Sequence, residues 1–188
     1  MKREFIKRAT GKEKELASIE ADGKSFFLLN ALADSTTKIV VKFEKTADST
    51  FEVGTIDSKN SVYAKVGDKQ CEVAFGDKRY ANATEKAVAA GEHEIELSYN
   101  TKADDGKLLM IPKRKFSIKN EIALLGISGD DGVDCDEKQV STKLLSCKIF
   151  SGDKLIREYV PVEDESGVKC LLEKVGSFVI YPQAKERS

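Results

Sequence analysis

The chain has 188 residues, with 31 Lys and Arg against 32 Asp and Glu, and its formal net charge is −1. This balance removes any general electrostatic argument for binding to nucleic acid or to an anionic membrane surface. A chain of this length can bury about 70% of its unfolded surface, so a core can form without disulfide staples. We therefore expect one domain over residues 1–188, with no nucleic acid among its partners.

The N-terminal segment is basic but lacks the apolar stretch of a secretory signal peptide. "MKREFIKRATGKEKELASIEADGKSFFLLNALA" continues with further charged and polar residues after its first basic ones. No apolar run in the chain reaches the roughly 18 to 20 residues that cross a bilayer. We expect a protein made and folded in a cytoplasm and not inserted into a membrane.

Helical patterns are few. The candidates are "SFFLLNALA" at 25–33 and the alanine-rich "ATEKAVAAGEH" at 83–93. Neither is long enough to support a helix bundle. The prediction is therefore a β protein with at most short helices.

Extended segments follow one another from residue 37 onward, with turn residues between them at the 8 to 12 residue spacing of sandwiches and barrels. Gly-Asp pairs in "VGDKQ" and "FGDKRY" predict tight hairpins. The predicted strands are "TKIVVKFEK" at 37–45, "TFEVGTID" at 50–57, "SVYAKVG" at 61–67, "QCEVAFG" at 70–76 and "HEIELSYN" at 93–100.

Two further segments complete the predicted strands. "KFSIKNEIALLGISG" at 115–129 predicts a strand, a turn around Lys119 and Asn120, and then a covered strand. "LLSCKIFSGDKLIREYVPVEDESGVKC", which begins at Leu144, predicts strands joined by a Gly-Asp turn. Alternation in the first of these strands places one set of side chains inward and the other outward. The inward set is Leu145, Cys147 and Ile149, and the outward set is Ser146, Lys148 and Phe150.

The C-terminal segment "KLLSCKIFSGDKLIREYVPVEDESGVKCLLEKVGSFVIY" at 143–181 resembles the closing segment of laminin-G/concanavalin-A-like jelly-roll domains in tail and other minor structural proteins of bacteriophages and prophages. Near the start, "EFIKRATGKEKELASIEA" and "TTKIVVKFEK" are similar to that family's opening strands. The family's Leu-Tyr-Asp is replaced here by Leu172-Glu173. The positions that carry the resemblance are Cys147, Lys148, Ile149, Phe150, Gly152, Leu155, Ile156, Arg157, Tyr159, Pro161, Gly167, Leu171, Glu173, Val175 and Phe178.

The resemblance implies an all-β jelly-roll sandwich of two antiparallel sheets. It also implies a non-enzymatic virion surface protein, such as a capsid decoration, a head fibre or a tail-associated module. The expected partners are other virion proteins and further copies of the chain, since virion proteins assemble symmetrically. Adhesion to host surface glycans is an added role, and no cofactor is expected.

The segment "SGDDGVDCDEKQ" at 128–139 concentrates acidic residues. Calcium binds such oxygen ligands, and the resemblance implies calcium at a loop rim. The candidate ligands are Asp130, Asp131, Asp134 and Asp136, and the function that they favour is a calcium-dependent carbohydrate-binding lectin. Because the segment does not fit the EF-hand pattern, a solvated acidic loop is the simpler interpretation.

A glucanase-like hydrolase is the third hypothesis, since some concanavalin-like folds cut sugars with paired carboxylates. Glu94 and Glu96 are such a pair, but they lack an aromatic setting, and a solvated strand face is the favoured interpretation. His93 is the one histidine, and we expect it at the surface. No catalytic residue is assigned.

The remaining chemistry-bearing residues are interpreted structurally. The four cysteines have no metal-binding spacing and are expected to be reduced and mostly buried. Arg157 is expected to pack its stem on a sheet and pair with a nearby carboxylate. Among the tyrosines we expect Tyr159 in the sandwich, and Tyr63, Tyr80 and Tyr99 exposed at strand ends.

Overall fold

The computed structural model of the protein describes residues 5–82, 89–99 and 114–185. Within these ranges it contains strands, a short 3-10 helix at Glu137–Gln139 and no α-helix. The first nine strands are β1 (Ile6–Arg8), β2 (Lys14–Glu15), β3 (Ile19–Glu20), β4 (Ser25–Asp34), β5 (Thr37–Lys45), β6 (Phe51–Ile56), β7 (Ser61–Val66), β8 (Cys71–Gly76) and β9 (Lys78–Asn82). The others are β10 (Gly91–Leu97), β11 (Ser117–Leu124), β12 (Gly126–Gly129), β13 (Gly132–Asp134), β14 (Lys143–Ser151), β15 (Lys154–Glu163), β16 (Lys169–Glu173), β17 (Phe178–Ile180) and β18 (Gln183–Ala184).

The strands form two open sheets. The first sheet has the order β1-β17-β16-β15-β14-β5-β10, with β2 beside β15 and β3 beside β14. The second has the order β18-β4-β11-β6-β7-β8-β9, with β12 beside β6 and β13 beside β12. The pairings are antiparallel except that of β12 with β6. The predicted fold class, an all-β jelly-roll sandwich of two antiparallel sheets, is confirmed at this level.

The core lies between the sheets, because alternate side chains of each strand point toward the other sheet. Phe43 of β5 and Phe51 of β6 are fully buried and stack across the gap, with ring centroids 3.9 Å apart. The inward residues of the first sheet include Ile39, Val41, Cys147, Ile149 and Leu171, and those of the second include Phe27, Leu29, Val53, Val62, Phe75 and Leu124. This core connects strands from both halves of the chain, and a smaller buried cluster of Val162, Cys170 and Val179 lies apart from it.

Tyr159 joins the two sheets by a hydrogen bond as well as by packing. Its ring is fully buried, as predicted, and its hydroxyl donates to the carbonyl oxygen of Leu29 on the opposite sheet. The bond satisfies the one polar group that the tyrosine brings into the core. Tyr159 therefore fixes the spacing of the sheets at this point.

Tyr159→Phe is expected to lower the free energy of unfolding by about 1–2 kcal/mol, because the Leu29 carbonyl loses this partner while the packing is kept. Urea denaturation followed by circular dichroism measures the change. Tyr99→Phe is the control, since Tyr99 is 50% exposed and its variant should differ from the parent by less than about 0.5 kcal/mol. Equal losses in the two variants would contradict a special role for the Tyr159 hydroxyl.

The prediction of a helix around residues 26–33 is wrong. This segment is β4, and its inward residues Phe27, Leu29, Ala31 and Ala33 are all buried. Phe26 and Leu28 are also apolar, so the period of two is hidden in an apolar run. The neighbouring strand β11 decides the conformation through tertiary pairing.

The predicted turn at Lys119 and Asn120 is also wrong. Both residues lie within β11, where the register with β4 shifts, and the chain reverses only at Leu125. Leu125 has a φ of 59°, and its N–H donates to the carbonyl of Glu52. β11 and β12 both pair with β6. β11 runs antiparallel to β6, and β12, after the reversal, runs parallel to it.

The predicted hairpins are confirmed, with one correction of facing. The Gly67 N–H donates to the Gln70 carbonyl between β7 and β8, and Ser151 pairs with Lys154 across the Gly-Asp turn of the C-terminal segment. In β14, however, Leu144 is buried and Leu145 is only half-buried. The register of β14 with β5 shifts between Leu144 and Ser146, so the alternation predicted from Leu145 changes by one residue there.

Of the alanine-rich segment at 83–93, residues 83–88 lie outside the described residues, and the last three belong to β10. The described part of the chain contains no helix with the length and apolar character needed to cross a membrane.

Candidate functional site

The two outer faces of the sandwich differ in the contacts that their side chains make and in their shape. On the first sheet, lysines and glutamates of neighbouring strands pair with one another, as is usual on a solvated sheet face. On the second sheet, a hairpin lies next to the central strands and leaves a groove. The ion pairs of the first sheet are Lys42–Glu94 at 3.3 Å, Lys143–Glu44 at 3.1 Å and Lys148–Glu158 at 3.7 Å.

The groove has a volume of about 520 Å³. Its floor is the outer face of β6, β7 and β8, and the β12–β13 hairpin forms one wall. Volumes of roughly 300–1,000 Å³ are typical of small-molecule sites. The residues that line it include Glu52, Ile56, Tyr63, Lys65 and Glu72 from the floor, Asp130, Asp131 and Asp134 from the hairpin, and Lys185, which follows β18.

Asn120 holds the hairpin wall against the floor. Its side-chain amide donates to the Ile56 carbonyl at 2.8 Å and to the Asp130 carboxylate at 2.9 Å. The Thr55 hydroxyl donates to the Asn120 carbonyl at 3.0 Å, and the Ser128 hydroxyl donates to the carbonyl of Glu121. These bonds fix the position of Asp130 above the sheet.

Glu52 is a buried carboxylate at the base of the groove, with a side chain only 2% exposed. Lys65 Nζ lies 2.8 Å from Glu52 Oε1 and 3.1 Å from Asp136 Oδ2. The Asp136 N–H and the Gln139 side-chain amide both donate to Glu52 Oε2, at 3.0 and 3.3 Å. Burial raises the pKa of Glu52 above its ordinary value, although Lys65 opposes the shift.

A second cluster lies beside the first on the same face. The Tyr63 hydroxyl donates to Glu72 Oε1, and Arg79 Nη2 donates to Glu72 Oε2 at 2.6 Å. Burial alone would raise the pKa of Glu72, but the hydrogen bonds from Arg79 and Tyr63 outweigh it and lower that pKa. Because β6, β7 and β8 are in register, Glu52, Lys65 and Glu72 form one row across the floor.

The four calcium candidates do not form one ligand set. Asp130, Asp131 and Asp134 line the groove, whereas Asp136 caps the 3-10 helix by accepting from the Lys138 N–H. Asp134 also pairs with Lys185 at 3.1 Å. Within the described residues, no group of three or more His, Cys, Asp or Glu side chains is arranged to hold a metal ion. The geometry gives the calcium prediction no support.

The carboxylates of the hydrolase hypothesis lie away from the groove. Glu94 and Glu96 are exposed on β10, at the edge of the first sheet, and Glu94 pairs with Lys42. His93 is half-buried, not at the surface as predicted. Its ring stacks on Phe43 with centroids 5.3 Å apart, and its Nε2 lies 2.7 Å from the Ala89 carbonyl oxygen.

Of the three tyrosines predicted to be exposed at strand ends, one is exposed and the other two are less exposed than predicted. Tyr99 is 50% exposed. Tyr80 is half-buried, and Tyr63 is only 8% exposed. Tyr63 therefore offers a hydroxyl contact at the groove and little ring surface for stacking.

The four cysteines form no disulfide, and three of them are buried, as predicted. Burial raises the pKa of Cys135 to about 11 and that of Cys170 to about 11, so neither thiol is ionised near neutral pH. Cys71 is half-buried on β8. This arrangement agrees with a packing role for the buried thiols.

Arg157 differs from the prediction of a carboxylate partner. Its Nη1 donates to the Ile156 carbonyl at 2.8 Å, and its guanidinium carbon lies 5.9 Å from the centre of the Phe178 ring. No carboxylate of the described residues lies within 4.0 Å of its guanidinium nitrogens. Its Nε is buried without a hydrogen-bond partner. The prediction that its stem packs on the sheet fits its half-buried position.

Sequence reasoning did not identify the floor of the groove. Alternation in β6, β7 and β8 does place Glu52, Lys65 and Glu72 outward, but only the strand register aligns them. Lys185 lies in a segment that carried no motif. Comparison with known proteins gives no relative: no family model, no curated protein and no solved structure matches the chain.

Proposed function

We propose that the protein is a non-enzymatic binding module of a virion exterior, and that the groove on the second sheet is its contact surface. The virion setting is supported by the resemblance of residues 143–181 to phage jelly-roll domains. In this chain those residues make the hairpins β14–β15, β15–β16 and β16–β17 of the first sheet. The module would then occupy a capsid decoration, a head fibre or a tail-associated position.

The observation that carries the binding role is the difference between the two outer faces. The first sheet's outer face has lysines and glutamates that form three ion pairs across strands within the chain. The second sheet has a groove with carboxylates on its wall and a structured polar floor. The side chains of the floor are held by ion pairs and hydrogen bonds, and such pre-ordering reduces the entropy lost on binding.

The proposal is tested by mass spectrometry of purified particles from the phage or induced prophage that encodes the chain. The copy number of the chain is measured against the major capsid protein. A fixed ratio across preparations and after high-salt washing is the expected result, because a structural component occupies symmetry-defined positions. Absence of the chain from washed particles would contradict the proposal.

A carbohydrate-binding lectin is the second candidate, because three carboxylates of the hairpin line one groove and can accept hydrogen bonds from sugar hydroxyl groups. Its calcium dependence, predicted from the sequence, is the part that the experiment tests. A sugar there would be held by hydroxyl groups donating to these carboxylates, since Tyr63 exposes little of its ring. Isothermal titration with calcium, followed by a glycan array with calcium or with chelator, tests this candidate. Glycan binding that requires calcium and is lost in Asp130→Ala would favour this candidate. Glycan binding that is the same with chelator would remove its calcium dependence, and no glycan binding at all would remove the candidate.

A further inference from the structure

We propose that the groove receives a basic segment of another virion protein, whose Lys or Arg side chains contact the carboxylates of the β12–β13 hairpin. This inference rests on the proposed function, because it takes the groove as the contact surface and adds the chemistry of the partner. Three observations on the groove support it: its charge, a cation already present in it, and its lack of an exposed aromatic face.

Negative charge predominates along the groove. Its lining includes five carboxylates, those of Glu52, Glu72, Asp130, Asp131 and Asp134, against the ammonium groups of Lys65 and Lys185. Glu72 is also compensated by Arg79 at 2.6 Å, so the negative excess lies on Asp130 and Asp131. Lys65 is directed at the buried Glu52 and at Asp136. The partner of Asp130 at 2.9 Å is the neutral amide of Asn120, which leaves the charge of Asp130 uncompensated by that contact. A cationic ligand would compensate this excess, and an anionic one would be repelled.

One primary ammonium group, that of Lys185, already pairs with the β12–β13 hairpin. Lys185 follows the short strand β18, which pairs with β4, and its Nζ lies 3.1 Å from Asp134 Oδ1. The hydrogen bond to Asp134 raises the pKa of Lys185, so the ammonium form is favoured there. The hairpin thus accommodates a lysine side chain from its own protein, and a partner's basic side chain can make the same contact.

The lining favours a basic protein segment over a glycan. Sugar sites gain much of their affinity from exposed aromatic faces, and the chain has no tryptophan. Tyr63, the aromatic residue of the groove floor, is 8% exposed, and its hydroxyl is committed to Glu72. Arginine is enriched among the residues that dominate protein interfaces, and bidentate pairing with carboxylates suits it to this wall.

The experiment is fluorescence anisotropy with two labelled dodecapeptides of alternating sequence, one Gly-Arg-Ser-Lys repeated and one in which Gln replaces each basic residue. The intact chain is expected to bind the basic peptide and not the Gln peptide. Raising the salt from 50 to 300 mM should weaken binding about tenfold, because exposed charge pairs are screened. No binding of the basic peptide at 50 mM salt would overturn the inference.

Two double variants separate the groove from general acidity. Asp130→Asn with Asp131→Asn should weaken binding at least fivefold. Glu92→Gln with Glu94→Gln makes the same change of charge on the first sheet and should leave binding unchanged, with thermal unfolding used to verify that both variants are folded. Equal weakening in the two double variants would show non-specific attraction and overturn the inference.

Lys185→Gln gives a second, independent readout. Removing the ammonium group frees Asp134 and should strengthen binding of the basic peptide by about twofold or more, whereas weaker binding would contradict the assignment of the groove.

A glycan array run on the same sample decides the competing ligand class, and binding of neutral glycans without peptide binding would overturn the inference. If the chain is absent from particles but binds the basic peptide, only the virion setting is contradicted. If the chain is present in particles but does not bind the basic peptide, only the chemistry proposed for the partner is contradicted.

Discussion

Replacement of Glu173 by alanine is expected to lower the free energy of unfolding by about 3–5 kcal/mol. Glu173 is fully buried, and its carboxylate accepts the backbone N–H groups of Glu158, Val175 and Gly176. Each buried donor left without a partner costs about 1–3 kcal/mol. The total stays below the sum of three such losses, because residues 174–177 are exposed and water can reach part of the turn.

Chemical denaturation measures this effect, with two variants as controls. Glu173→Gln keeps one acceptor oxygen and should lose less stability than the alanine variant. Glu165→Ala removes a glutamate whose side chain is 52% exposed on the preceding turn, and it should change stability by less than about 0.5 kcal/mol. Equal stability of the Glu173→Ala and Glu165→Ala variants would show that the carboxylate does not hold the β16–β17 turn.

Lys65→Met is expected to lower the free energy of unfolding by about 2–3 kcal/mol at neutral pH. It leaves the Glu52 carboxylate buried without its cation, and breaking one side of a buried pair costs about 3–5 kcal/mol. We take a smaller value because the Lys65 side chain is 40% exposed and solvent screens part of the interaction. Asp136 loses the same cation but is better hydrated, with 24% of its side chain exposed.

The loss in Lys65→Met should depend on pH in a defined direction. The pKa of Glu52 is already raised by burial, and removing Lys65 raises it further, because Lys65 lowers it. A group whose folded pKa is raised contributes stability below its unfolded pKa and loses that contribution as pH rises through the folded pKa. The cost of Lys65→Met should therefore be small near pH 4 and grow above the unfolded pKa of glutamate.

Unfolding curves between pH 4 and 8 measure this dependence. The double variant Glu52→Gln with Lys65→Met has no buried charge at this position, so it should lack the pH-dependent cost. Lys59→Met is the matched control, since Lys59 is exposed at the β6–β7 turn. A loss in Lys65→Met that is constant over this pH range would contradict the role assigned to Glu52.

The fold was predictable where alternation is clear and turn residues bound it. The strand predicted at 37–45 has the bounds of β5, and the Gly-Asp hairpins are present. Prediction failed at β4, where apolar residues on both faces hide the period. Prediction failed again at Leu125, where the chain reverses. The position of this reversal is decided by the pairing of β11 and β12 with the same strand, β6.

The candidate site was predictable only in its wall. The acidic hairpin stood out in the sequence, and three of its aspartates do line the groove. The floor needs the register of three strands, and Lys185 reaches the hairpin from a segment 51 positions away. Such long-range contacts leave no local pattern, so the ion pairs of Glu52 and Asp134 could not be inferred.

The most direct test of the account is cross-linking mass spectrometry on intact particles with an amine-reactive reagent. The account predicts cross-links from Lys185, at the groove, to lysines of a different virion protein. Lys42 and Lys148, on the outer face of the first sheet, should give few such links. Absence of the chain from particles, or cross-links to partners concentrated on Lys42 and Lys148, would contradict the claim that the groove is the contact surface of a virion protein.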